Sequence, residues 1–429
     1  MIRLEEHKHE TEDKAIETAP VPASVVIPLL QHLGKPLDVL KVKVGDAVKR
    51  GQCLATSDKG VFAPIHASIS GKVSAIASQA HPLSGTCRAV VIEGDGQDAA
   101  CAEMRQRSAE AVDALSAEEL RRIIFEAGIV GLGGATFPTH IKLKPPHPIE
   151  YLVLNGAECE PYLTADYRLM VEKTDAIVEG VRLVLKILNP KKCLIAIEDN
   201  KPEAIRLFRE RSAAFKGQVM VLKTAYPQGG EKQVIKSCLK REVPSGKLPF
   251  DIGVVVHNVG TVYAIYEAVR LGKPLYERVV TVAGPCVANP KNLLVRLGTR
   301  VRELAEACGP LVKEPKKIVM GGPMMGVAQS TMDGPVIKAT NGVLFFDEAR
   351  PREEEKICIR CGECVQNCPV GLNPSMIVSA IEKDKLDLAE AYGIMDCIEC
   401  GLCAWGCPGQ RNIVQAIKTA KARIQRAKK

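Results

Sequence analysis

Aromatic side chains are scarce: phenylalanine, tryptophan and tyrosine make up 4% of the 429 residues, with a single tryptophan. A surface that holds nucleic acid by stacking its bases needs more of them. The formal net charge is +8, but much of it collects in the final stretch "RNIVQAIKTAKARIQRAKK", so no nucleic-acid partner is expected. Long apolar runs are also missing, and no segment reaches the length of a membrane span. The opening "MIRLEEHKHETEDK" has no apolar core segment and is not expected to act as a secretory signal.

Cysteine, by contrast, is plentiful. There are 16, eight of them in two short runs, "CIRCGECVQNCP" from Cys358 and "CIECGLCAWGCP" from Cys397. Such clustering points to metal chemistry in a reducing, cytoplasmic compartment rather than to disulfides. Thiolates are soft ligands, and four of them hold each [4Fe–4S] cluster. In a C-x2-C-x2-C loop three sulfurs converge on one cluster, and the fourth cysteine, followed by proline, ligates the other. Cys358, Cys361, Cys364 and Cys407 are therefore assigned to one cluster, and Cys397, Cys400, Cys403 and Cys368 to the second. Gly362 and Gly401 keep the loops small. Zinc also accepts four thiolates, but its sites come as separated pairs rather than a duplicated triplet. Cys53, Cys87, Cys101, Cys193, Cys238, Cys286 and Cys308 show no ligand spacing and read as small core residues. Cys159 lies in a loop of interest.

The chain is long enough for several domains. After an N-terminal extension, 1–22, residues 23–100 read as short strands with turns at regular intervals. Val42, Val44 and Val48 alternate around a Gly45-Asp46 turn. This pattern resembles the barrel-sandwich fold of lipoyl and biotinyl carrier domains, with "SDKG" near the place of their modified lysine. Lys59 is read as a solvated turn residue on a reused fold, with a carrier lysine as the alternative. Residues 115–275 alternate helix and strand, as an α/β layer domain with a largely parallel sheet does. Ile177, Val178, Val181, Val184, Leu185 and Leu188 have helical spacing, with Thr174 as the expected N-cap, and Pro202 opens another helix. Residues 278–345 suggest a small α+β module. "FFDEARPREEEK" reads as a charged linker into the two-cluster domain, 346–410, and 411–429 as a basic C-terminal helix. Ile413, Ile417 and Ile424 share one face of that helix. The opposite, basic face suits an anionic membrane surface or plain solvent equally.

Clusters pass single electrons, and a flavin is the usual converter from a hydride donor. Four segments of the α/β domain qualify as flavin loops. "GIVGLGGATFPTHIKL" brings Gly131, Gly133 and Gly134, whose backbone N–H groups can turn toward a phosphate, with Lys142 adding charge. "YLVLNGAECEPYLTADYRLM" ends a strand at Asn155 and places Glu158 and Glu160 in the next loop. "AYPQGGEKQVIK" carries Tyr226, Gly229 and Glu231. "VVVHNVGTVYAIYEAV" ends a strand at Asn258 and opens a helix near Thr261. Ligands of open α/β sheets lodge beyond the carboxyl ends of the strands, where such loops gather.

Together these motifs resemble the RnfC component of the Rnf electron-transport complex, an ion-translocating ferredoxin:NAD oxidoreductase, over nearly the whole length. The α/β domain is similar to the flavin-bearing, NADH-oxidising subunit of respiratory complex I. The resemblance implies FMN and NAD(H) binding in the central domain, with NAD(H) as substrate, then a β-grasp module and a ferredoxin-like two-cluster relay. It implies partners too: other subunits of a membrane electron-transport complex, one of them iron–sulfur, with peripheral attachment at the cytoplasmic face of the inner membrane. Position by position, "GLGGATFPTHIK" stands where the family has "GRGGAGFPTGLK", with Leu132 for its arginine and Thr136 for its later glycine. "NGAECEP" stands for "NADEGEP", so Asn155, Glu158 and Glu160 carry over as flavin- and nicotinamide-side groups, while Ala157 and Cys159 differ. "YPQGGE" resembles "YICGEE", matching Tyr226, Gly229 and Glu231 but not Gly230. "HNVGT" resembles "NNVET", matching Asn258 and Thr261. Glu160 and Glu231 are expected to contact the dinucleotide. Two rival readings are a microcompartment cobalamin reductase, in which the flavin domain tends to come first, and a non-catalytic iron–sulfur docking protein.

Overall fold

The structure is a computed structural model that describes residues 1–348 and 357–428. Of the linker "FFDEARPREEEK", residues 349–356 lie outside the described residues, and Phe345 and Phe346 end the strand Gly342–Phe346. The multidomain α/β architecture follows the chain in order.

The barrel-sandwich is built from two small sheets. Four strands run in the order Ser24–Pro28, Gly85–Gly94, Gly71–His81 and Ala47–Val48, and three in the order Val39–Leu40, Cys53–Thr56 and Ile65–His66. Alternate residues of these strands point inward, so Val25, Ile27, Leu54, Val90 and Ile92 form a shared core. Lys59 stands exposed in the turn after Cys53–Thr56.

The central sheet has four parallel strands in the order Gly217–Leu222, Lys192–Glu198, Tyr151–Gly156 and Val254–Asn258. The chain begins in Tyr151–Gly156, adds two strands on one side, then crosses to add Val254–Asn258 on the other. The crossing creates a topological switch point between Tyr151–Gly156 and Val254–Asn258, where an open α/β sheet leaves a crevice. Helices Thr174–Leu188 and Val259–Arg270 pack so closely that a Cβ on Gly180 would stand 2.3 Å from the Val262 carbonyl oxygen. Thr174 is the first helical residue rather than the N-cap. Its hydroxyl donates back to the Met170 carbonyl at 2.6 Å, tying this helix to the preceding one, Ala165–Glu172.

The β-grasp sheet recruits the N-terminus. Its six strands run Ile16–Thr18, Lys291–Arg296, Glu277–Ala283, Gly342–Phe346, Lys317–Met320 and Val327–Gln329. The first 22 residues thus do not stand apart as an extension, because Ile16–Thr18 pairs in parallel with Lys291–Arg296. Upstream of that strand, the Lys8 ammonium donates to the carbonyls of Glu158 (2.8 Å), Glu160 (3.0 Å) and Leu163 (2.5 Å). A buried cation held by three carbonyl oxygens fixes that loop from outside.

In the ferredoxin-like domain the terminal helix Ile413–Ala427 buries Ile413, Ile417, Ala420 and Ile424 against helix Pro374–Glu382 and its neighbours. The apolar face that a membrane would have taken is therefore occupied by the protein's own core. No helix among the described residues is long and apolar enough to cross a membrane.

Three domains meet around Lys338. Its ammonium is buried and donates to the carbonyls of Pro64 (2.8 Å) and Gly128 (2.6 Å). Burial lowers its pKa to about 7, and burial with the nearby Lys338 charge lowers His32 to about 4 and His66 to about 3. Each group is harder to protonate folded than unfolded, so the unfolded chain binds more protons and stability falls with falling pH. The Lys338 contribution is lost between the free value of 10.5 and about 7, and the imidazole contributions below the free value of 6.5. Thermal unfolding followed across pH should show the midpoint dropping on acidification, and Lys338→Met should flatten the part of that slope above pH 7 (on the order of 1 kcal/mol per pH unit). A slope unchanged in the variant would contradict this.

Candidate functional site

Asn155 and Asn258 end the two strands that flank the switch point, and they are register partners. Each turns its side chain to a neighbouring loop. Asn155 donates from Nδ2 to the Gly229 carbonyl at 2.8 Å and accepts from the Ala157 N–H at 3.1 Å. Asn258 caps the helix Val259–Arg270, accepting from the N–H groups of Gly260 (2.9 Å) and Thr261 (3.3 Å). A capped helix start aims its positive end at the crevice.

The glycine turn is pinned over that helix start. The Leu132 N–H donates to the Thr261 hydroxyl at 2.8 Å, and Arg278 donates to the Leu132 carbonyl at 3.2 Å. A Cβ on Gly133 would contact Asn258 at 3.5 Å. Gly133, Gly134 and Ala135 are exposed, and among the described residues their N–H groups meet no protein acceptor. Gly134 sits at φ +110° with open space on its Cβ side, a backbone free to approach a ligand. Thr136, where the complex I family has glycine, is held at φ +48°, a strained position for a β-branched residue. The Lys142 ammonium reaches the same crevice, donating to Glu231 at 2.5 Å and the Val256 carbonyl at 2.7 Å. Both partners of that ion pair stay partly exposed.

The two glutamates of "NGAECEP" behave differently. Glu158 is buried, and its carboxylate accepts from the N–H groups of Asp166 (2.9 Å) and Tyr167 (3.2 Å), satisfying the first turn of helix Ala165–Glu172. Asp166 accepts in turn from Asn258 Nδ2 at 2.5 Å. Burial, then the Glu158 charge, raises the Asp166 pKa, with Arg278 opposing. Glu160 points away from the glycine turn. Its oxygens accept from the N–H groups of Met324 (3.0 Å) and Met325 (2.9 Å) in the β-grasp loop "GGPMMG", and burial raises its pKa. Tyr226 is also buried; its hydroxyl donates to the Cys400 carbonyl at 2.7 Å. Gly229 packs so tightly that a Cβ would meet the Ala157 carbonyl at 2.3 Å.

Hydrogen bonds and the Asn155–Asn258 register thus link Gly133, Lys142, Asn155, Glu231, Asn258 and Thr261, with Gly229 and Glu158 packed beside them, while Gly131 spends its N–H on the Phe137 carbonyl at 2.9 Å. The structure turns Glu160 toward the β-grasp loop and Tyr226 toward the cluster domain. Arg278 and Lys8 join the site from outside the four segments, and Asp166 joins it from within the second, where its pattern did not single it out. Only their tertiary partners distinguish them from surface charges, though a charged residue between apolar stretches, as in "TADYRLM", is a weak signal of burial.

The cysteines fall into two groups. After burial, the next thiols that raise Cys364 are Cys358 and Cys407, following its bonds to Ser375. Burial and then Cys397, Cys400 and Cys368 raise Cys403 to about 12. Grouped thiols ionise together only beside a strongly positive metal core, and each set, with Cys364 buried in one and Cys400 and Cys403 in the other, offers the soft donors a cluster takes. The crevice fits a flavin with a phosphate: it offers unpaired backbone N–H groups, an ammonium and a helix start on one side.

Comparison with known proteins agrees with this layout. Residues 2–97 match the RnfC barrel sandwich hybrid domain, 124–267 the Nuo51 FMN-binding domain, 279–328 the SLBB domain and 350–408 the 4Fe-4S dicluster domain. The C subunit of the proton-translocating ferredoxin:NAD(+) oxidoreductase complex of Clostridium ljungdahlii is 48% identical over 98% of this chain and 92% of its own length. Its counterpart in the Na(+)-translocating complex of Acetobacterium woodii is 42% identical over 94% and 91%. The counterpart in the ion-translocating oxidoreductase complex of Rhodobacter capsulatus is 41% identical over 99% and 82%. A chain of the NAD+-reducing [NiFe]-hydrogenase crystal structure in the H2-reduced state shares the fold, with a TM-score of 0.52 and 18% identity over 73% of this chain and 63% of that one. The cofactors are FMN and [4Fe–4S] clusters.

Removing the crevice cation should register in flavin affinity. Lys142→Met is expected to weaken FMN binding by about tenfold without changing iron content, measured by flavin titration of reconstituted protein. An unchanged affinity would remove Lys142 from the site.

Proposed function

The chain belongs to the RnfC family, the C subunits of ion-translocating ferredoxin:NAD(+) oxidoreductase complexes, and on that premise we propose that it is the NAD(H)-reacting member of such a complex. When bound, FMN exchanges a hydride with NAD(H) and single electrons with the clusters. The chain's own residues position these groups. Gly133 and Gly134 with Lys142 hold the phosphate side, Gly131 closes the turn through its bond to the Phe137 carbonyl, and Asn155, Asn258 and Thr261 fix the loops at the switch point. Glu231 is the carboxylate that faces the dinucleotide, since it remains half-exposed beside Lys142. Glu160 in that role would have to leave the Met324 and Met325 N–H groups; a structural role, holding the flavin loop to the β-grasp loop, agrees better with its bonds. Glu158 keeps helix Ala165–Glu172 in place beneath the site.

The observation that carries the reading is the direct bond from a flavin-site loop to a cluster loop, Tyr226 to Cys400. Around it Tyr226, Cys400 and Leu402 pack with Cys159, Met324 and Ile398. Ser245 adds a second link, donating to Asp396 at 2.6 Å. These contacts support a hydride site and a one-electron relay that share a packed boundary within one chain. The relay continues to an iron–sulfur partner, and the chain attaches to the cytoplasmic face of the membrane through its partners.

Anaerobically purified protein should contain stoichiometric FMN and iron filling both cysteine sets, and NADH should bleach its flavin absorbance. Iron without flavin, and no response to NADH, would contradict the assignment and favour a docking role.

A further inference from the structure

The glycine turn has a neighbour from outside the central domain. Two tips of the barrel-sandwich stand beside it. The first, 30–36, is closed at its base by the Leu37 N–H, which donates to the Leu29 carbonyl at 2.8 Å. It is tied down at Gln31, whose Oε1 accepts from the Lys338 N–H at 3.1 Å, and at Leu33, whose N–H donates to the Thr136 carbonyl at 3.2 Å. Thr136 directly follows the exposed Gly133-Gly134-Ala135 backbone. The second tip, 57–62, lies between strands Cys53–Thr56 and Ile65–His66. It touches the first, since a Cβ on Gly34 would stand 3.1 Å from the Val61 carbonyl oxygen. Phe62 braces it, meeting Phe125 edge-on at 5.5 Å, and Phe125 meets His140 at 4.7 Å. Both tips are thus held, yet their outer side chains are left in solvent. Leu33 is 57% and Val61 43% exposed. Lys35 and Lys59 are exposed too, and among the described residues their ammonium groups meet no partner. Beneath the first tip His32 is 5% exposed, and neither ring nitrogen is hydrogen-bonded among the described residues. Its Nε2 would stand 4.0 Å from a Cβ on Gly34. Buried polar groups are as a rule paired, so an imidazole with both nitrogens idle under a bare glycine leaves room for a ligand's hydroxyl.

We propose that these two tips bind the adenosine half of the dinucleotide, so that the barrel-sandwich completes a site that the central domain only begins. The inference rests on the functional reading above. Charge is the first reason for this occupant. With FMN bound, its phosphate takes the glycine turn, and the crevice cation Lys142 is already paired with Glu231 at 2.5 Å. The pyrophosphate of a second ligand therefore needs a cation from elsewhere. Lys35 supplies it; Asp58, exposed in the second tip, offsets Lys59 beside it. Apolar surface is the second reason. Leu33 and Val61 offer a purine a floor that a chain poor in aromatic side chains does not provide by stacking. The third is His32, which burial and the Lys338 charge keep neutral. A neutral imidazole donates at one nitrogen and accepts at the other, as a ribose hydroxyl requires. Held this way, the adenosine half leaves the nicotinamide half on the flavin side of the turn.

The test uses the full chain reconstituted with FMN and clusters, NADH as donor and ferricyanide as acceptor. ADP-ribose serves as a probe that carries the adenosine half without nicotinamide. Lys35→Glu and Leu33→Ser should each raise the KM for NADH and the Kd for ADP-ribose about tenfold. Both should leave kcat and the affinity for FMN within about twofold. KM and Kd unchanged in both variants overturn the assignment. FMN affinity lost in step with them also overturns it, because the loop would then only prop the glycine turn. Should Leu33→Ser lower the thermal midpoint, Lys35→Glu decides, since a charge reversal on an exposed side chain leaves the fold intact. A parent without NADH:ferricyanide activity would instead strike the functional reading. ADP-ribose would still judge the tips: weaker binding in the variants supports them, and no binding to the parent overturns them.

Discussion

A buried hydrogen bond, from the Tyr226 hydroxyl to the Cys400 carbonyl, ties the FMN-binding domain to the cluster domain. Its strength alone is modest. Its setting makes it matter: both groups are buried, so an unmatched hydroxyl or carbonyl there would cost more than the bond contributes. Glu160 braces it from behind by holding the Met324–Met325 backbone, and that same backbone covers Gly401. Three domains therefore contribute one side each to a junction whose spacing is fixed by packing.

The crevice on the other side of Tyr226 obeys a different constraint. Its walls are made of charges taken out of water, and each is satisfied by backbone or by a side-chain partner. Glu158 serves a helix start, Asp166 serves Asn258, and Arg278 serves the glycine turn. That arrangement leaves Gly133 and Gly134 exposed, with Lys142 and Glu231 partly exposed beside them. The N-terminal residues close the outside, with Lys8 clamping the loop that carries both glutamates.

Much of this was legible in the sequence because the informative features are local. The cysteine spacing, the helical period from Ile177 to Leu188 and the glycine turn each declare themselves within a dozen residues. That strand-end loops at Asn155 and Asn258 would lie side by side followed from the general behaviour of parallel sheets. What stayed hidden depends on distant partners. Glu158 and Glu160 stand two apart in one motif, yet one faces a helix start and the other a different domain. Ile16–Thr18 carries no local sign that it completes a sheet with residues near 292. The amphipathic terminal helix was open to two readings because sequence shows an apolar face without showing what covers it.

The central claim is that the Cys400 cluster stands between the flavin and everything beyond it. Reoxidation by NAD+ of chemically reduced protein, followed by the paramagnetic signal of the reduced clusters, tests it directly in two variants. With Cys361→Ser the surviving cluster should reoxidise as fast as in the parent. With Cys400→Ser the surviving cluster should stay reduced. Rapid reoxidation in the Cys400→Ser protein, with stalling in the Cys361→Ser protein, would contradict the account.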